Sequence, residues 1–385
     1  MTAAPAFAPS QAGVDAPLLE VRDLAVRFRR RGRPDVAAVD GVSFVVRAGQ
    51  VVGLVGESGS GKSVTSLAAM GLLPKRNTTV TGSVLFEGRD LLTLGRSELA
   101  SMRGRDLAMV FQDPMTSLNP VVPIGTQVVE VLLAHTDASR SQAADEAEDL
   151  LRRVGIPDPR RRLKDYPHQL SGGMRQRALI AIALACKPRL LIADEPTTAL
   201  DVTIQAQVLE LLKQLVVESR TAMVMITHDL GVVAGLCDQV NVMYAGKIVE
   251  TASRGELFAV PRHRYTHGLL ASIPRLDSPR GEPLHPIPGT PRDTVGWDVA
   301  CAFAPRCPAA SDGCVGGGLR LQEDGERPGH HVRCVHPVPV PLPAGPPEPA
   351  AVAPGATATP HSAPAGSTVP AGSAAAADGT AKRGT

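Results

Sequence analysis

A glycine-rich loop that ends in a lysine and a serine follows directly after an apolar run at residues 51–55. The loop reads Gly-Glu-Ser-Gly-Ser-Gly-Lys-Ser over residues 56–63, and a helical pattern begins at Val64. In the order strand, loop, helix, backbone N–H groups and the positive end of the helix dipole converge on phosphate oxygens. Lys62 can then reach the β- and γ-phosphates, and the Ser63 hydroxyl can bind Mg²⁺. A glycine-rich turn that matches by chance is the weaker alternative, because the flanking elements are those the motif requires. The residues predicted to bind nucleotide here are Gly56, Ser58, Gly59, Ser60, Gly61, Lys62, Ser63 and Val64.

Two carboxylates and a histidine end two later apolar runs. Asp194 and Glu195 follow residues 190–193, and His228 comes just after residues 222–226. Ligands of open α/β sheets bind at the carboxyl ends of the strands, which is the edge where these side chains fall. We expect Asp194 to hold Mg²⁺ through water, and Glu195 to orient and polarise the water that attacks the γ-phosphate. His228 is expected to hydrogen-bond the γ-phosphate and that water.

A glutamine, Gln112, follows the apolar residues 109–111 and is expected to contact Mg²⁺ and the attacking water from a movable loop. Taken singly, a glutamine, a histidine or a carboxylate pair at a strand end is more often structural. Their combination with the phosphate loop favours a catalytic role for Lys62, Gln112, Glu195 and His228, with Mg²⁺ contacts from Ser63, Gln112 and Asp194.

A second anion site is predicted at Ser171-Gly172-Gly173, which leads into another helical pattern. Free N–H groups at a helix start and a serine hydroxyl are suitable partners for phosphate. One chain therefore carries two half-sites for phosphate. That arrangement is understandable if two chains meet head to tail and each supplies one half of a shared nucleotide site.

In this order the motifs resemble those of ABC transporter ATP-binding subunits, and in particular the subunits of oligopeptide and dipeptide importers. The family's Walker A, Q-loop, signature, Walker B, D-loop and H-loop are matched, in turn, by Lys62, Gln112, Ser171–Gly173, Asp194-Glu195, Ala199-Leu200-Asp201 and His228. Phe28 matches the aromatic residue on which that family stacks adenine. The peptide-importer resemblance rests on longer strings at residues 111–120, 166–169, 195–207 and 264–270. Met174, where glutamine is usual, is a departure that we interpret as a mark of the subfamily.

The resemblance implies an ATPase that drives import of dipeptides, oligopeptides or a related small solute. The implied partners are a second ABC ATPase subunit, either a different paralogous chain or a second copy of this one, and two integral membrane permeases. An extracytoplasmic solute-binding protein would act indirectly, and no nucleic acid is involved. The implied location is the cytoplasmic face of a bacterial membrane, with residues 113–120 lining the groove that receives the permease.

Apolar runs alternating with helical patterns predict an α/β fold around a parallel sheet. The resemblance specifies a P-loop ABC cassette: a RecA-like core, an antiparallel β subdomain and an inserted helical subdomain, followed by a small irregular C-terminal domain. We predict a cassette over 18–258, with the helical subdomain at about 113–170, and a cysteine-bearing C-terminal region over 259–335. Residues 1–17 and the Pro/Ala/Gly-rich residues 336–385 are predicted to be disordered, because such sequences cannot bury enough apolar surface to fold.

Four cysteines in the C-terminal region have the spacing C-x5-C-x6-C-x19-C: Cys301, Cys307, Cys314 and Cys334. Loop spacings of this kind let a chain wrap around a cluster, whereas structural zinc sites more often use C-x2–4-C pairs. Similar cysteines hold a [4Fe–4S] cluster in some peptide-importer subunits, so the resemblance favours that cofactor. Zinc or metal-free thiols are the alternatives. Cys186 and Cys237 lie in apolar patterns and are predicted to be core residues.

Composition argues against several other classes of protein. The net charge is +2 and aromatic residues make up 3% of the 385 residues, so neither a basic field nor a base-stacking surface points to nucleic acid. No run of about 18 apolar residues is present, and residues 1–17 lack the basic start of a secretory signal. A soluble ABC ATPase of DNA repair or translation would need a coiled-coil insertion or a second cassette. A P-loop kinase or GTPase would leave residues 170–176 unexplained.

Overall fold

The computed structural model describes residues 16–273 except Ala199, residues 286–290, and residues 301–340 except Gly317 and Glu326. Most of the two segments predicted to be disordered lies outside these residues. The strands, in chain order, are β1 (Pro17–Arg30), β2 (Arg33–Arg47), β3 (Val51–Val55), β4 (Thr78–Phe86), β5 (Arg89–Asp90), β6 (Leu107–Val110), β7 (Leu190–Asp194), β8 (Ala222–Thr227), β9 (Gln239–Tyr244), β10 (Lys247–Ser253), β11 (Gln322–Glu323) and β12 (His331–Val332). The α-helices are α1 (Lys62–Ala69), α2 (Arg96–Met102), α3 (Pro114–Ser117), α4 (Ile124–His135), α5 (Arg140–Arg153), α6 (Pro159–Arg162), α7 (Gly172–Leu184), α8 (Val202–Ser219), α9 (Leu230–Leu236), α10 (Arg254–Ala259) and α11 (Arg264–Ala271).

The larger sheet carries the parallel strands, in the order β11-β12-β10-β9-β3-β8-β7-β6. Strands β3, β6, β7, β8 and β9 run parallel, whereas β10 and β12 run antiparallel to their neighbours. Every residue of β3, β7 and β8 is buried, which explains why these strands are apolar up to Asp194 and Thr227 at the ends of β7 and β8. Helices cover both faces of a parallel sheet in such folds. The predicted α/β core is therefore confirmed.

A smaller antiparallel sheet has the order β2-β1-β4-β5. Its hairpin turns at Arg31-Gly32, where Gly32 has a φ of +71° that glycine adopts without strain. Along β1, Leu19, Val21, Leu24 and Val26 are buried, and the residues between them are charged or small and more exposed. This sheet is the antiparallel β subdomain expected from the resemblance.

Alternate residues of the central strand β3 belong to different cores. Val51 and Val55 lie in a core shared with the helices, including α4, α5 and α7. Val52 and Leu54 lie in a core shared with the antiparallel sheet. Since successive side chains of a strand point to opposite faces, β3 ties the two halves of the cassette together.

The helices α3 to α6 lie between β6 and α7, in the stretch predicted to be an inserted helical subdomain. A capping box begins α5: the Ser139 hydroxyl accepts from the N–H of Gln142, whose side chain accepts from the N–H of Ser139. The buried residues Ala143, Ala147 and Leu151 pack this helix against α4 and α7. No helix among the described residues is long and apolar enough to span a membrane.

The region predicted to be irregular contains more regular structure than expected. Helix α11 occupies residues 264–271, and β12 pairs with β10 at the edge of the larger sheet. Phe303 is buried in the same core as the cassette. Contacts also continue past the predicted boundary at residue 335, because the N–H of Val338 donates to the carbonyl of Arg262. The C-terminal region thus extends the sheet of the cassette.

Candidate nucleotide-binding site

A cavity of about 610 Å³ opens at the carboxyl ends of β3, β7 and β8. This volume lies in the range of small-molecule sites, about 300–1,000 Å³. The lining brings together most of the predicted chemistry. It is formed by Ala38, Val55, Gly56, Glu57, Ser58, Gly59, Gly61, Lys62, Ser63, Val64, Gln112, Glu195, His228, Leu230 and Leu269.

The phosphate loop needs its glycines for space as well as for backbone conformation. At Gly56, with a φ of +152°, an added Cβ would lie 2.2 Å from the carbonyl oxygen of Met243. At Gly61, with a φ of +101°, it would lie 2.4 Å from the carbonyl oxygen of Ala38. The loop is thus pressed between β2 and the end of β9 and leads straight into α1 at Lys62. This packing aims the helix N-terminus at the cavity.

The Lys62 ammonium is buried under the loop that precedes it. It donates to the carbonyl oxygens of Gly56 at 2.9 Å and Glu57 at 3.1 Å. Burial lowers the pKa of Lys62, while the nearby carboxylates of Glu195, Asp194 and Glu57 act to raise it. These carboxylates favour the charged ammonium, which is the form that can bind a phosphate.

Two of the three residues predicted to contact magnesium, Ser63 and Asp194, lie side by side. The Ser63 hydroxyl donates to Oδ1 of Asp194 at 2.9 Å. Burial raises the pKa of Asp194, and the Ser63 hydrogen bond opposes that shift. A hydroxyl beside a carboxylate, facing phosphate oxygens, is a donor set that suits Mg²⁺. The residues present therefore fit this ion.

Glu195 is the centre of a polar group at the end of β7. Gln112 Nε2 donates to its carboxylate at 3.0 Å, and the Thr198 hydroxyl donates at 2.9 Å. His228 Nδ1 lies 3.3 Å from Oε1 of Glu195. The backbone of Glu195 has a φ of +44°, a conformation that is uncommon for residues other than glycine. The turn directs the carboxylate to the cavity beside Gln112 and His228.

Six of the predicted nucleotide contacts do not line the cavity: the buried Ser60 within the loop, and five residues elsewhere among the described residues. Phe28 is half-buried on β1 and packs against the core of the antiparallel subdomain. Ser171 accepts from the N–H of Met174 as the N-cap of α7, and Asp201 caps α8. A Cβ on Gly173 would lie 2.6 Å from Ile204, so this glycine permits the close approach of the two helices. The cavity of the same chain is lined by none of the following five residues: Phe28, Ser171, Gly172, Gly173 and Asp201.

Several residues of the site were not predicted. Ala38 and Leu230 line the cavity, and Thr198 holds Glu195, but small or apolar residues carry no chemical signal in a sequence. Leu269 also lines the cavity from α11 in the C-terminal region. Leu269 lies in residues 264–270, which resemble the peptide importers. That resemblance was the one feature of the sequence that could have indicated a role for Leu269.

The four cysteines of the C-terminal region lie near one another. The N–H of Cys301 donates to the carbonyl of Cys314 at 3.0 Å. Burial raises the pKa of Cys301 to about 11, with smaller contributions from Cys334 and Cys314. Burial also raises the pKa of Cys334, and Cys307 adds to the effect. However, no three His, Cys, Asp or Glu side chains among the described residues form a group that could hold a metal ion. The predicted cluster has no assembled ligand set in this structure.

Two family profiles match the chain. The profile described as "ABC transporter" matches residues 39–198. The profile described as "Oligopeptide/dipeptide transporter, C-terminal region" matches residues 249–314. The first covers the phosphate loop and the end of β7, and the second covers α11 and three of the four cysteines.

Characterised relatives are similar over most of their length. The oligopeptide transport ATP-binding protein OppD of Salmonella typhimurium is 52% identical over 307 residues, which are 80% of this chain and 90% of the relative. The dipeptide transport ATP-binding protein DppD of Bacillus subtilis is 53% identical over 292 residues, covering 76% and 87%.

Solved structures with the same fold include the ATP-binding cassette MJ0796, a dimer in a post-hydrolysis state bound to ADP and Pi. Its TM-score is 0.55 at 26% identity, covering 61% of this chain and 98% of that one. The cbiO1 protein of Clostridium perfringens, part of the ABC transporter complex cbiONQ, has a TM-score of 0.52 at 27% identity, covering 63% and 91%.

Proposed function

This chain belongs to the ATP-binding subunits of oligopeptide and dipeptide ABC importers, and from that premise we propose how its residues bind and hydrolyse MgATP. The phosphates bind the N–H groups of residues 58–64, and Lys62 turns from its carbonyl partners to the β- and γ-phosphates. Ser63 and Asp194, with Gln112, hold Mg²⁺, which neutralises the charge on the transferred phosphoryl group. The hydrogen bond between Ser63 and Asp194 supports this assignment.

We assign hydrolysis to Glu195 and the side chains around it. The contacts of Gln112, Thr198 and His228 with the Glu195 carboxylate are the observation that carries the proposal. Glu195 accepts a hydrogen bond from the attacking water, whose oxygen forms a bond to the γ-phosphorus as the bond to the bridging oxygen breaks. The water's proton leaves through Glu195. Gln112 and Thr198 hold the carboxylate, and His228, 3.3 Å away, donates to the γ-phosphate.

The second half of each nucleotide site is proposed to come from a second cassette. Ser171, Gly172, Gly173 and Asp201 lie outside the cavity of their own chain. Free N–H groups at the start of α7 are suited to a phosphate supplied by a neighbour. The likeness to a dimeric cassette bound to ADP and Pi supports the same arrangement. We infer that the partner is a paralogous subunit, and that Phe28 contacts adenine when the nucleotide is bound.

Two membrane permeases are the proposed partners to which ATP binding and hydrolysis are coupled. Residues 113–120, which follow Gln112 directly, include the exposed Met115, at 50% of its full surface. A permease helix seated there would move with Gln112 as the nucleotide is bound and hydrolysed. The cassette would then act at the cytoplasmic face of the membrane. Peptides are the proposed solute, because the relatives are named for oligopeptide and dipeptide transport.

The experiment that tests the nucleotide site replaces Lys62 with alanine in the assembled transporter. Removing the buried ammonium should lower ATP turnover by at least about 100-fold, because its positive charge stabilises the negative charge of the phosphates in the transition state. Lys75→Ala, an exposed lysine between α1 and β4, is the control and should turn over normally. Normal turnover by Lys62→Ala would refute the assignment.

A cofactor on the four cysteines is a separate proposal. We propose that Cys301, Cys307, Cys314 and Cys334 come together around a [4Fe–4S] cluster, because their spacing resembles that of the peptide-importer subunits that hold one and because the N–H of Cys301 already donates to the carbonyl of Cys314. Protein purified without oxygen should contain iron and sulfide and should absorb near 400 nm. Stoichiometric zinc without iron would replace the cluster with a zinc site, and metal-free protein with four reactive thiols would remove the proposal.

A further inference from the structure

An acidic residue, Glu57, lies inside the phosphate loop, where its charge would repel a nucleotide. It lines the cavity one residue after Gly56, and its carbonyl accepts from Lys62 at 3.1 Å. The remaining groups of this residue are held by the C-terminal region. Its N–H donates to the Tyr265 hydroxyl at 2.8 Å. Its carboxylate accepts two bonds from Arg306, at 2.7 and 3.1 Å.

Arg306 is fixed from several sides. Its Nε donates to the carbonyl of Pro288 at 2.9 Å, and its guanidinium lies 5.8 Å from the ring centre of Tyr244 and 5.9 Å from that of Phe303. Its side chain is only 5% exposed, against 25% for Glu57. The hydrogen bonds with Glu57 raise the pKa of Arg306 above the ordinary arginine value, so the guanidinium is always charged.

Three aromatic rings pack around Arg306 and Glu57 and fix the orientation of the Arg306 guanidinium. Tyr244 and Tyr265 have ring centres 4.6 Å apart, and Phe303 lies 5.4 Å from each. These rings come from the end of β9, from α11 and from the turn before Arg306. A planar guanidinium that bonds a carboxylate with two parallel hydrogen bonds fixes direction as well as charge. The two charges are therefore matched and oriented.

We propose that Arg306 is a positioning residue of the nucleotide site, which neutralises Glu57 and holds its carboxylate away from Lys62 and the phosphates. The inference rests on the proposed function, since it assigns a role within that site. Without Arg306, the carboxylate of Glu57 is free to attract the Lys62 ammonium and to repel the phosphates. Removing the carboxylate as well should therefore restore much of the lost nucleotide affinity.

The test is a double-mutant cycle read by titrating the full-length chain with MgADP. Arg306→Gln should weaken binding by about tenfold, since the carboxylate of Glu57 then keeps its full charge beside the phosphates. Glu57→Gln and the double variant Glu57→Gln/Arg306→Gln should each bind within about threefold of the wild type, because the repulsive charge is gone. The control, Arg327→Gln, removes another ion pair of the C-terminal region, with Glu256, and should bind normally.

Three outcomes would overturn the inference: normal binding by Arg306→Gln, a double variant as weak as Arg306→Gln, or an equal loss in the control. The second would mean that Arg306 only supports the fold. If Arg306→Gln does not fold, Arg306→Lys replaces it in the cycle; it keeps the charge but not both bonds, and should weaken binding by about threefold. A wild-type chain that does not bind MgADP would refute the proposed function instead.

Discussion

Glu195 combines an unusual backbone with a dense set of hydrogen-bond partners. A φ of +44° costs about 1–3 kcal/mol for a residue with a side chain, and such strain concentrates at functional sites. Three side chains contact the carboxylate. The backbone N–H of Glu195 donates to the carbonyl of Ile226 at 2.9 Å. This strained turn places the carboxylate of Glu195 at the cavity beside His228, which links the strain to the function of the site.

Replacing Glu195 with glutamine should preserve this geometry and remove the proton acceptor. ATP turnover is expected to fall by about 100-fold or more, since general-base catalysis contributes about 10²–10⁴-fold. With hydrolysis blocked, MgATP should hold two cassettes together, which gel filtration would detect as a shift to larger size. Glu210→Gln, on the exposed side of α8, is the matched control. A Glu195→Gln variant that hydrolyses ATP at the normal rate would contradict the assignment.

At the level of residues, the sequence was informative where chemistry requires a particular side chain. Lys62, Ser63 and Asp194 could be predicted because few residue types bind phosphate or magnesium. Arg306 could not, because its partner Glu57 lies 249 residues away in the chain. Nothing in either local sequence indicates that the two meet.

At the level of elements, His263 illustrates how burial sets a pH dependence. It is the N-cap of α11, where its Nδ1 accepts from the N–H of Tyr265 at 3.0 Å. The backbone N–H of His263 donates to the carboxylate of the buried Glu250 at 2.9 Å. Burial lowers the pKa of His263 from 6.5 to about 4, although Glu250 acts in the opposite direction. The folded chain therefore keeps this imidazole neutral where the unfolded chain protonates it.

The free energy of unfolding should fall as the pH is lowered from about 6.5 to about 4, by up to about 3 kcal/mol from this residue. Between these values the unfolded state binds one proton more than the native state, so acid favours unfolding. Urea denaturation at a series of pH values measures the slope. His263→Asn keeps a capping acceptor but does not titrate, so its slope should be smaller. An unchanged slope would assign the acid sensitivity to other groups.

The elements that were predicted are those whose own sequences indicate their environment. β3, β7 and β8 are continuous apolar runs, and the pattern of α5 is amphipathic. The two-residue strands β11 and β12 have no such pattern. They exist because β12 pairs with β10 at Glu250 and Thr251, a contact that local sequence does not encode.

At the level of the whole molecule, the C-terminal region contributes to both the sheet and the core of the cassette. Tyr265, Ala302 and Phe303 belong to the same core as β7 and α7. Nε2 of His330 lies 2.7 Å from Oε1 of the fully buried Glu250, and this contact ties β10 to the segment before β12. We therefore expect the cassette and residues 301–340 to unfold together.

Two truncations test that expectation. A chain that ends at Val340 should keep wild-type MgADP affinity and thermal stability, because the sequence beyond it cannot bury enough apolar surface to support the fold. A chain that ends at Ala300 loses Phe303, Arg306 and β12. Since deleting a single buried phenylalanine side chain costs about 3–5 kcal/mol, it should be strongly destabilised or aggregate. Calorimetry should show one cooperative transition in the longer chain. Two separate transitions there, or a stable chain ending at Ala300 with unchanged nucleotide affinity, would mean that the C-terminal region is an independent domain and that the cassette does not depend on it.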